Sequence, residues 1–414
     1  VDAQTPKPVS SPVSKADIAA DQPAPLRLIV LLMAMGAIGP VSLNILVPAT
    51  PGLAVIFDTK VETVQLTLSL YLLGLAVSQL LLGPLSDRFG RKPVLLGGLF
   101  ITAAASIAAI YSTSILSLIL WRTLQALGAS SGLVIGRAII RDLYSRDRAA
   151  SMIGLVTTVM VLAPMAAPLI GGILDTALGW QYTFVLTAAF AGAVLIWAYF
   201  ALPETRPDHI TGGGLRFILG ESRELLSSRR FVGYVLVCAI GTSTFFAFLG
   251  GGPHVVVGIM ARSSAEYGLW FILTSGGFML GNFVTARFSQ RYGIDTMVHY
   301  GLLSLIAGAI LTVVICVILP DGGPWTIFVP QLLISFGNGI FLPNCVAGAV
   351  SVRPQAAGTA SGITGFVQMA TGAAAAQAMS HVVASASTAI PLAIAMLLLS
   401  AVTAVVFYVF LWRK

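Results

Sequence analysis

The chain has 414 residues, 57% of them hydrophobic and 9% charged, with a formal net charge of +7 and a mean hydropathy of +0.92. Soluble globular proteins carry about 25% charged residues, and so few charges could not cover a soluble surface. The composition therefore excludes a soluble protein and defines a polytopic membrane protein, expected to be all-α with 12 transmembrane helices.

Residues 1–25 are polar and rich in Pro, Ser and Asp. They lack the basic-then-apolar order of a cleaved signal peptide and are expected to form a disordered cytoplasmic tail. Twelve apolar runs follow, at about 26–48, 63–84, 94–111, 115–139, 152–174, 180–202, 230–253, 266–288, 297–319, 325–349, 358–382 and 388–412. With both termini in the cytoplasm, 19 of the 23 Lys and Arg fall on that side, only Lys60 and Arg262 fall outside, and Arg122 and Arg137 lie within the fourth run. That asymmetry is a topology signal, so no nucleic-acid partner is expected. Cys238, Cys316 and Cys345 lie inside apolar runs. Their odd count, without ligand spacing, points to packing rather than to disulfides or a metal, and no cofactor is expected.

Residues 203–229 are the one long polar break, dividing a six-helix bundle at 26–202 from a second at 230–412. In the break Leu215, Ile218, Leu219, Leu225 and Leu226 share a helical face opposite Arg216, Glu221, Arg223 and Glu224. Two readings fit: an amphipathic helix on the inner membrane surface, or a plain linker helix. The halves echo each other. Arg88-Phe89-Gly90 matches Arg291-Tyr292-Gly293 after 203 residues, Gly128 matches Gly337 after 209, and Ser151-Met-Ile-Gly154 matches Thr359-Ala-Ser-Gly362 after 208. A parallel six-plus-six repeat places a substrate cavity between the halves near the midplane.

The second and third spans are joined by Gly83-Pro84-Leu85-Ser86-Asp87-Arg88-Phe89-Gly90-Arg91-Lys92-Pro93. Pro93 suits a first helical turn, Gly90 permits a tight reversal, and Asp87 can neutralise an arginine or cap a helix N-terminus. An ordinary basic loop would share these charges. The whole string resembles the G-x-x-x-D-R-x-G-R-K motif of the major facilitator superfamily, in its usual place. Three further stretches are similar to the 12-helix drug:proton antiporter branch, and to its Bcr/CflA-type multidrug exporters. They are Arg122-Thr-Leu-Gln125-Ala-Leu-Gly128, Ala163-Pro164-Met-Ala-Ala167-Pro168-Leu-Ile-Gly171-Gly172, where Ala167 replaces the usual first glycine, and Pro203-Glu204-Thr205-Arg206. Gly358 through Met369 also resembles their eleventh helix.

The resemblance implies a conformational-switch loop at Gly83, Asp87, Arg88, Gly90, Arg91 and Lys92. It implies a helix bend and gating seam at Ala163, Pro164, Ala167, Pro168, Gly171 and Gly172, where one half meets the other. It also implies a monomeric secondary transporter of the bacterial inner membrane that is not an enzyme. That transporter exports small amphipathic drugs or antibiotics, of a chloramphenicol- or bicyclomycin-like class, by alternating access coupled to protons. The alternative is a same-fold importer or exporter of a small metabolite, with coupling not through a first-helix acid.

A charge inside a span costs roughly 2.5–3.5 kcal/mol, so Arg122 should face protein or a wet cavity; snorkelling to the outer surface is the other reading. The expected central cavity comprises Asn44, Arg122, Gln125, Phe245, Phe246 and Asn338, with Phe248 and Trp270 extending an aromatic wall and Asn344 a further polar group. The pattern breaks at Asn44-Ile45-Leu46-Val47-Pro48, where the Bcr/CflA type carries an acid and a tyrosine. Asparagine cannot exchange a proton there. Asp175, Glu62 and His254 are the remaining titratable candidates, each read first as a boundary residue. An unpaired Arg122 facing the cavity would favour neutral or anionic substrates over cations.

Overall fold

The computed structural model describes residues 26–144, 152, 153, 156, 166–206 and 215–412. The expected tail at 1–25, the positions Ala163 and Pro164, the Ser151–Gly154 repeat match and the side chains of Leu215, Ile218 and Leu219 lie outside the described residues.

The helices of the first half are α1 (Leu26–Ile56), α2 (Val61–Phe89), α3 (Arg91–Ile110), α4 (Ile115–Leu143), the shorter described helix α5 (Ala166–Leu178) and α6 (Gln181–Ala201). After the linker helix Leu215–Ser227 come α7 (Arg229–Ile259), α8 (Ser264–Tyr292), α9 (Ile294–Ile318), α10 (Trp325–Ser351), α11 (Ala357–Ala384) and α12 (Ile390–Phe410). Among the described residues, ten of these are long and apolar enough to cross a bilayer by length and composition alone. The chain is a multi-pass membrane protein. Helix α11 has the length but is rich in Gly, Ala, Ser and Thr. Its neighbours account for that composition: it packs between α2 of the first half and α7 of the second, where small side chains allow close approach.

The chain repeat is visible contact by contact. Gly90 (φ 101°) and Gly293 (φ 79°) both take a backbone conformation that disfavours any other residue. Each amide donates four residues back, to Ser86 and Ser289 carbonyls, at 3.1 and 2.9 Å. A Cβ on Gly74 would meet the Thr123 carbonyl, and one on Gly277 the Leu332 carbonyl; each pair is the other shifted by 203 and 209 positions. The Gly98–Gly128 crossing of α3 with α4 recurs as Gly301–Gly337 between α9 and α10. Backbone-to-backbone packing of this kind needs glycine at the contact, which is why these offsets survive where larger residues diverge.

Helix α1 is interrupted. It is α-helical over Leu26–Asn44, turns tightly at Val47–Ala49 and resumes at Thr50–Ile56. Pro48 has no N–H to give the Asn44 carbonyl, so the last carbonyls of the first segment must find other partners.

The linker helix docks on the second half, against α7 and α11. Leu225 is fully buried while Leu226 is exposed, Glu221 accepts from the Thr359 hydroxyl at 2.6 Å, and Glu224 pairs with Arg353. The three cysteines are free and buried.

Candidate functional site: a buried arginine, an aromatic chamber and a closed seam

Arg122 is only 1% exposed, so it does not snorkel. Its Nη1 donates to the Ser42 carbonyl at 2.7 Å and to Gln125 Oε1 at 2.6 Å. The guanidinium carbon lies 4.2 Å from the Tyr71 ring centroid and 5.9 Å from that of Phe184. Gln125 Nε2 passes the chain on to the Ser106 hydroxyl at 2.7 Å. Ser42 belongs to the last turn before the α1 interruption, where unpaired carbonyls carry the negative end of the helix dipole. The groups that face this cation are the Ser42 carbonyl, an amide oxygen and an aromatic face, while its buried Nε has no partner among the described residues. Asn44 donates to the Pro40 carbonyl at 2.8 Å, and its buried Oδ1 has no partner.

A second place holds space. A chamber of about 160 Å³ is lined by Thr242, Phe245, Phe246, Thr274, Ser275, Phe278, Ser335, Asn338, Leu342 and Gln368. All ten come from α7, α8, α10 and α11. The six residues expected in one cavity thus separate: Phe245, Phe246 and Asn338 line the chamber, whereas Asn44, Arg122 and Gln125 form a packed cluster in the first half. The expected charge preference, which required Arg122 in the cavity, loses its basis. The physical reason is that the guanidinium is held inside the first half, on the Tyr71 ring and the Ser42 carbonyl. Phe248 and Trp270 also sit elsewhere, packed on Phe328 at ring distances of 5.3 and 6.3 Å. Asn344 accepts from the Ser289 hydroxyl at 2.5 Å and donates to the Ile340 carbonyl at 2.7 Å.

The halves close against each other on the face opposite the basic loops. A Cβ on Gly172 would run into the Ser264 carbonyl of α8, and one on Gly171 into the Ile45 carbonyl of α1. Consecutive helical residues point about 100° apart, so this pair serves both the own half and the other. A Cβ on Gly268 would stand 2.5 Å from the Pro168 carbonyl, and Ala167 is buried. Hydrogen bonds that cross the seam among the described residues include Ser264 to Pro48 carbonyl (3.0 Å), Ala265 N–H to Thr176 hydroxyl (3.2 Å), Gln377 to Glu62 carbonyl (2.9 Å) and Ser69 to Gln377 Oε1 (2.9 Å).

On the basic face Arg91 is the hub, 6% exposed. It bonds Asp87, the Ser86 hydroxyl at 2.7 Å and Asp142 at 2.9 Å. Asp142 and Glu204 are the partners that sequence reasoning missed as members of this loop's network. Asp142 lies in α4, 51 positions away from Arg91; the Pro203–Arg206 stretch marked Glu204 only as a helix end. Glu204 accepts from the backbone N–H groups of Arg91 (2.9 Å), Lys92 (3.1 Å), Thr205 (3.0 Å) and Arg206 (3.0 Å). The first two are unpaired donors at the start of α3, so Glu204 caps that helix from a distant part of the chain. Arg206 completes the clasp by donating to the Arg88 carbonyl at 2.8 Å. Arg88 and Lys92 lie over the rings of Phe89 and Tyr199, at 5.2 and 5.5 Å, and Gly83 faces open space.

Partial burial pushes the Glu204 carboxyl up, but the four backbone donors outweigh it and hold the group below the usual carboxylate range. A depressed folded-state value means the clasp is complete above the ordinary value and fades as pH falls through the folded one. Glu204→Gln is expected to loosen the start of α3 by about 1 kcal/mol and to remove that acid sensitivity. Hydrogen exchange at the Arg91 and Lys92 amides across a pH series measures both effects.

Two pseudo-repeated helix bundles meeting at a packed seam, with a chamber between membrane helices, are the architecture of a membrane transporter. The sequence pattern of the Major Facilitator Superfamily matches residues 32–376. The chain belongs to that family, in the Bcr/CflA-type branch that its motifs resemble. It is 30% identical to Multidrug resistance protein D of Escherichia coli (strain K12), over 83% of this chain and 86% of that one. It is 27% identical to a Bicyclomycin resistance protein homolog of Haemophilus influenzae, over the same shares. It is also 30% identical to the Chloramphenicol resistance protein of Pseudomonas aeruginosa, over 80% and 76%. Among solved structures, a D-xylose-proton symporter shares the fold at a TM-score of 0.75 and 12% identity, over 93% and 97% of the two chains. Members of this family are transporters rather than enzymes.

Proposed function

We propose that the chain exports small, drug-like compounds from the cytoplasm by alternating access. The two bundles, 26–202 and 230–412, are the moving bodies, and the basic face, with both termini, lies inside. The observation that carries this reading is the similarity, along four fifths of the chain, to relatives named for resistance to drugs. The chamber supports it, because aromatic walls with a few polar atoms suit varied apolar ligands. The seam supports the cycle: contacts between backbones either fit or do not, so it opens as a unit.

Proton coupling belongs to the proposal, and Asn44 cannot carry it. Asp175 and Glu62 stand at helix ends near the seam, where opening would change their access to water. The test is reconstitution in liposomes, with chloramphenicol and bicyclomycin as substrates and internal pH as readout. An imposed pH gradient should drive substrate uptake, and added substrate should move protons, in the wild type as in Asn44→Asp. Cells carrying the gene should show raised tolerance to at least one of the two compounds. No counterflow and unchanged tolerance would overturn export.

A further inference from the structure

We propose that the chamber is a receptor for one uncharged aromatic ring bearing hydrogen-bonding substituents, and that the second half alone carries this recognition. The inference deepens the export reading and rests on it for the direction of transport only.

Three observations lead there. The first is the origin of the space. By the repeat offsets, Thr274 of α8 stands where Tyr71 stands in α2, and Gln331 of α10 where Arg122 stands in α4. In the first half the Tyr71 ring and the Arg122 guanidinium stack and fill the region between those helices. In the second half a threonine replaces the tyrosine, and Ser335 and Asn338 replace Ala126 and Ala129. Among the described residues, the region that side chains fill in the first half is therefore hollow at its counterpart in the second.

The second observation is polar atoms left waiting. Thr274 Oγ1, Ser335 Oγ and Asn338 Oδ1 are buried and without a hydrogen-bond partner, on side chains 1%, 2% and 3% exposed. All three residues line the chamber. Unpaired buried polar atoms are costly, and more so in a membrane interior. Asn338 Oδ1 can only accept, whereas the two hydroxyls can donate or accept. The matching ligand therefore offers at least one donor beside an acceptor.

The third observation is size and charge. A cavity of about 150 Å³ lined by apolar side chains takes a single benzene ring, and this one is about 160 Å³. Phe245, Phe246 and Phe278 supply ring faces and edges for such a guest. None of the lining residues is charged, so a cation or anion would leave water with nothing to balance it.

The test is equilibrium binding of radiolabelled chloramphenicol, a neutral single-ring compound with hydroxyl and amide groups, to the full chain in lipid nanodiscs. Chloramphenicol succinate serves as an anionic competitor and tetraphenylphosphonium as a cationic, larger one. Wild type is expected to bind the neutral probe and to be displaced weakly by either ion. Asn338→Leu and Thr274→Val should each weaken binding about tenfold, and Ser335→Phe, which fills the chamber, should abolish it. Ser335→Ala, a minimal change, should weaken binding without altering thermal stability, which separates recognition from misfolding. Binding unchanged in the Asn338 and Ser335 variants, an ion bound more tightly than the neutral probe, or a wild type that binds none of the three would overturn the assignment. Drug tolerance that survives the chamber variants would overturn it while leaving export standing; loss of tolerance and binding in the wild type itself would remove both.

Discussion

Replacing Arg122 with methionine is expected to destabilise the first bundle by about 2–4 kcal/mol and to leave ligand affinity in the folded fraction unchanged. The side chain spans three helices: it donates to the Ser42 carbonyl of α1, shares Gln125 within α4 and lies on the Tyr71 ring of α2. Methionine removes the cost of burying a charge in a membrane, which offsets part of the loss. It also strands the Ser42 carbonyl, the Gln125 amide oxygen and the negative end of a broken helix, and those losses exceed the gain. Arg122→Lys should recover part of the stability, because an ammonium still answers the carbonyls but cannot lie flat on the ring and reach Gln125 together. Thermal unfolding in detergent, followed by intrinsic fluorescence, measures the ranking. A changed chloramphenicol affinity with unchanged unfolding would return Arg122 to the substrate path.

A single added branch at the seam should be nearly as damaging, by a different route. Gly172→Val places atoms where the Ser264 backbone already stands. Neither backbone can step aside cheaply, and overpacking costs roughly 1–3 kcal/mol. That cost falls on the closed arrangement only, so the closed population should drop by about 5- to 150-fold and turnover with it. Membrane insertion should be normal. The readout is labelling of Ser335→Cys, in a background lacking Cys238, Cys316 and Cys345, by a membrane-impermeant maleimide added outside. Labelling should rise in Gly172→Val as transport falls. Gly52→Val is the control, since a Cβ at Gly52 meets nothing; equal loss in both variants would rule out a specific role for the seam.

These two residues show how differently the chain discloses its parts. Gly171 and Gly172 could be read as a packing face because close backbone contact admits only small residues, a constraint that operates at the level of residue type. Gly90 likewise announced a reversal before its φ of 101° was seen. Arg122 announced only that a charge was buried. Whether it faced a cavity depended on Tyr71, 51 positions earlier in the chain, and on the Ser42 carbonyl next to the interruption of α1. Glu204 was visible as the end of a helix, while its function as the cap of α3 required the contact made 113 positions away.

Residue chemistry and order alone settled that this chain spans a membrane as helices, doubled as a repeat, because bilayer solvation acts on local composition and span length. Which helices carry the hollow, and which bury their polar groups against one another, was decided only by assembly. The two halves share a backbone plan, and a tyrosine in one against a threonine in the other determines where space remains, a difference without meaning until the neighbouring helices are in place.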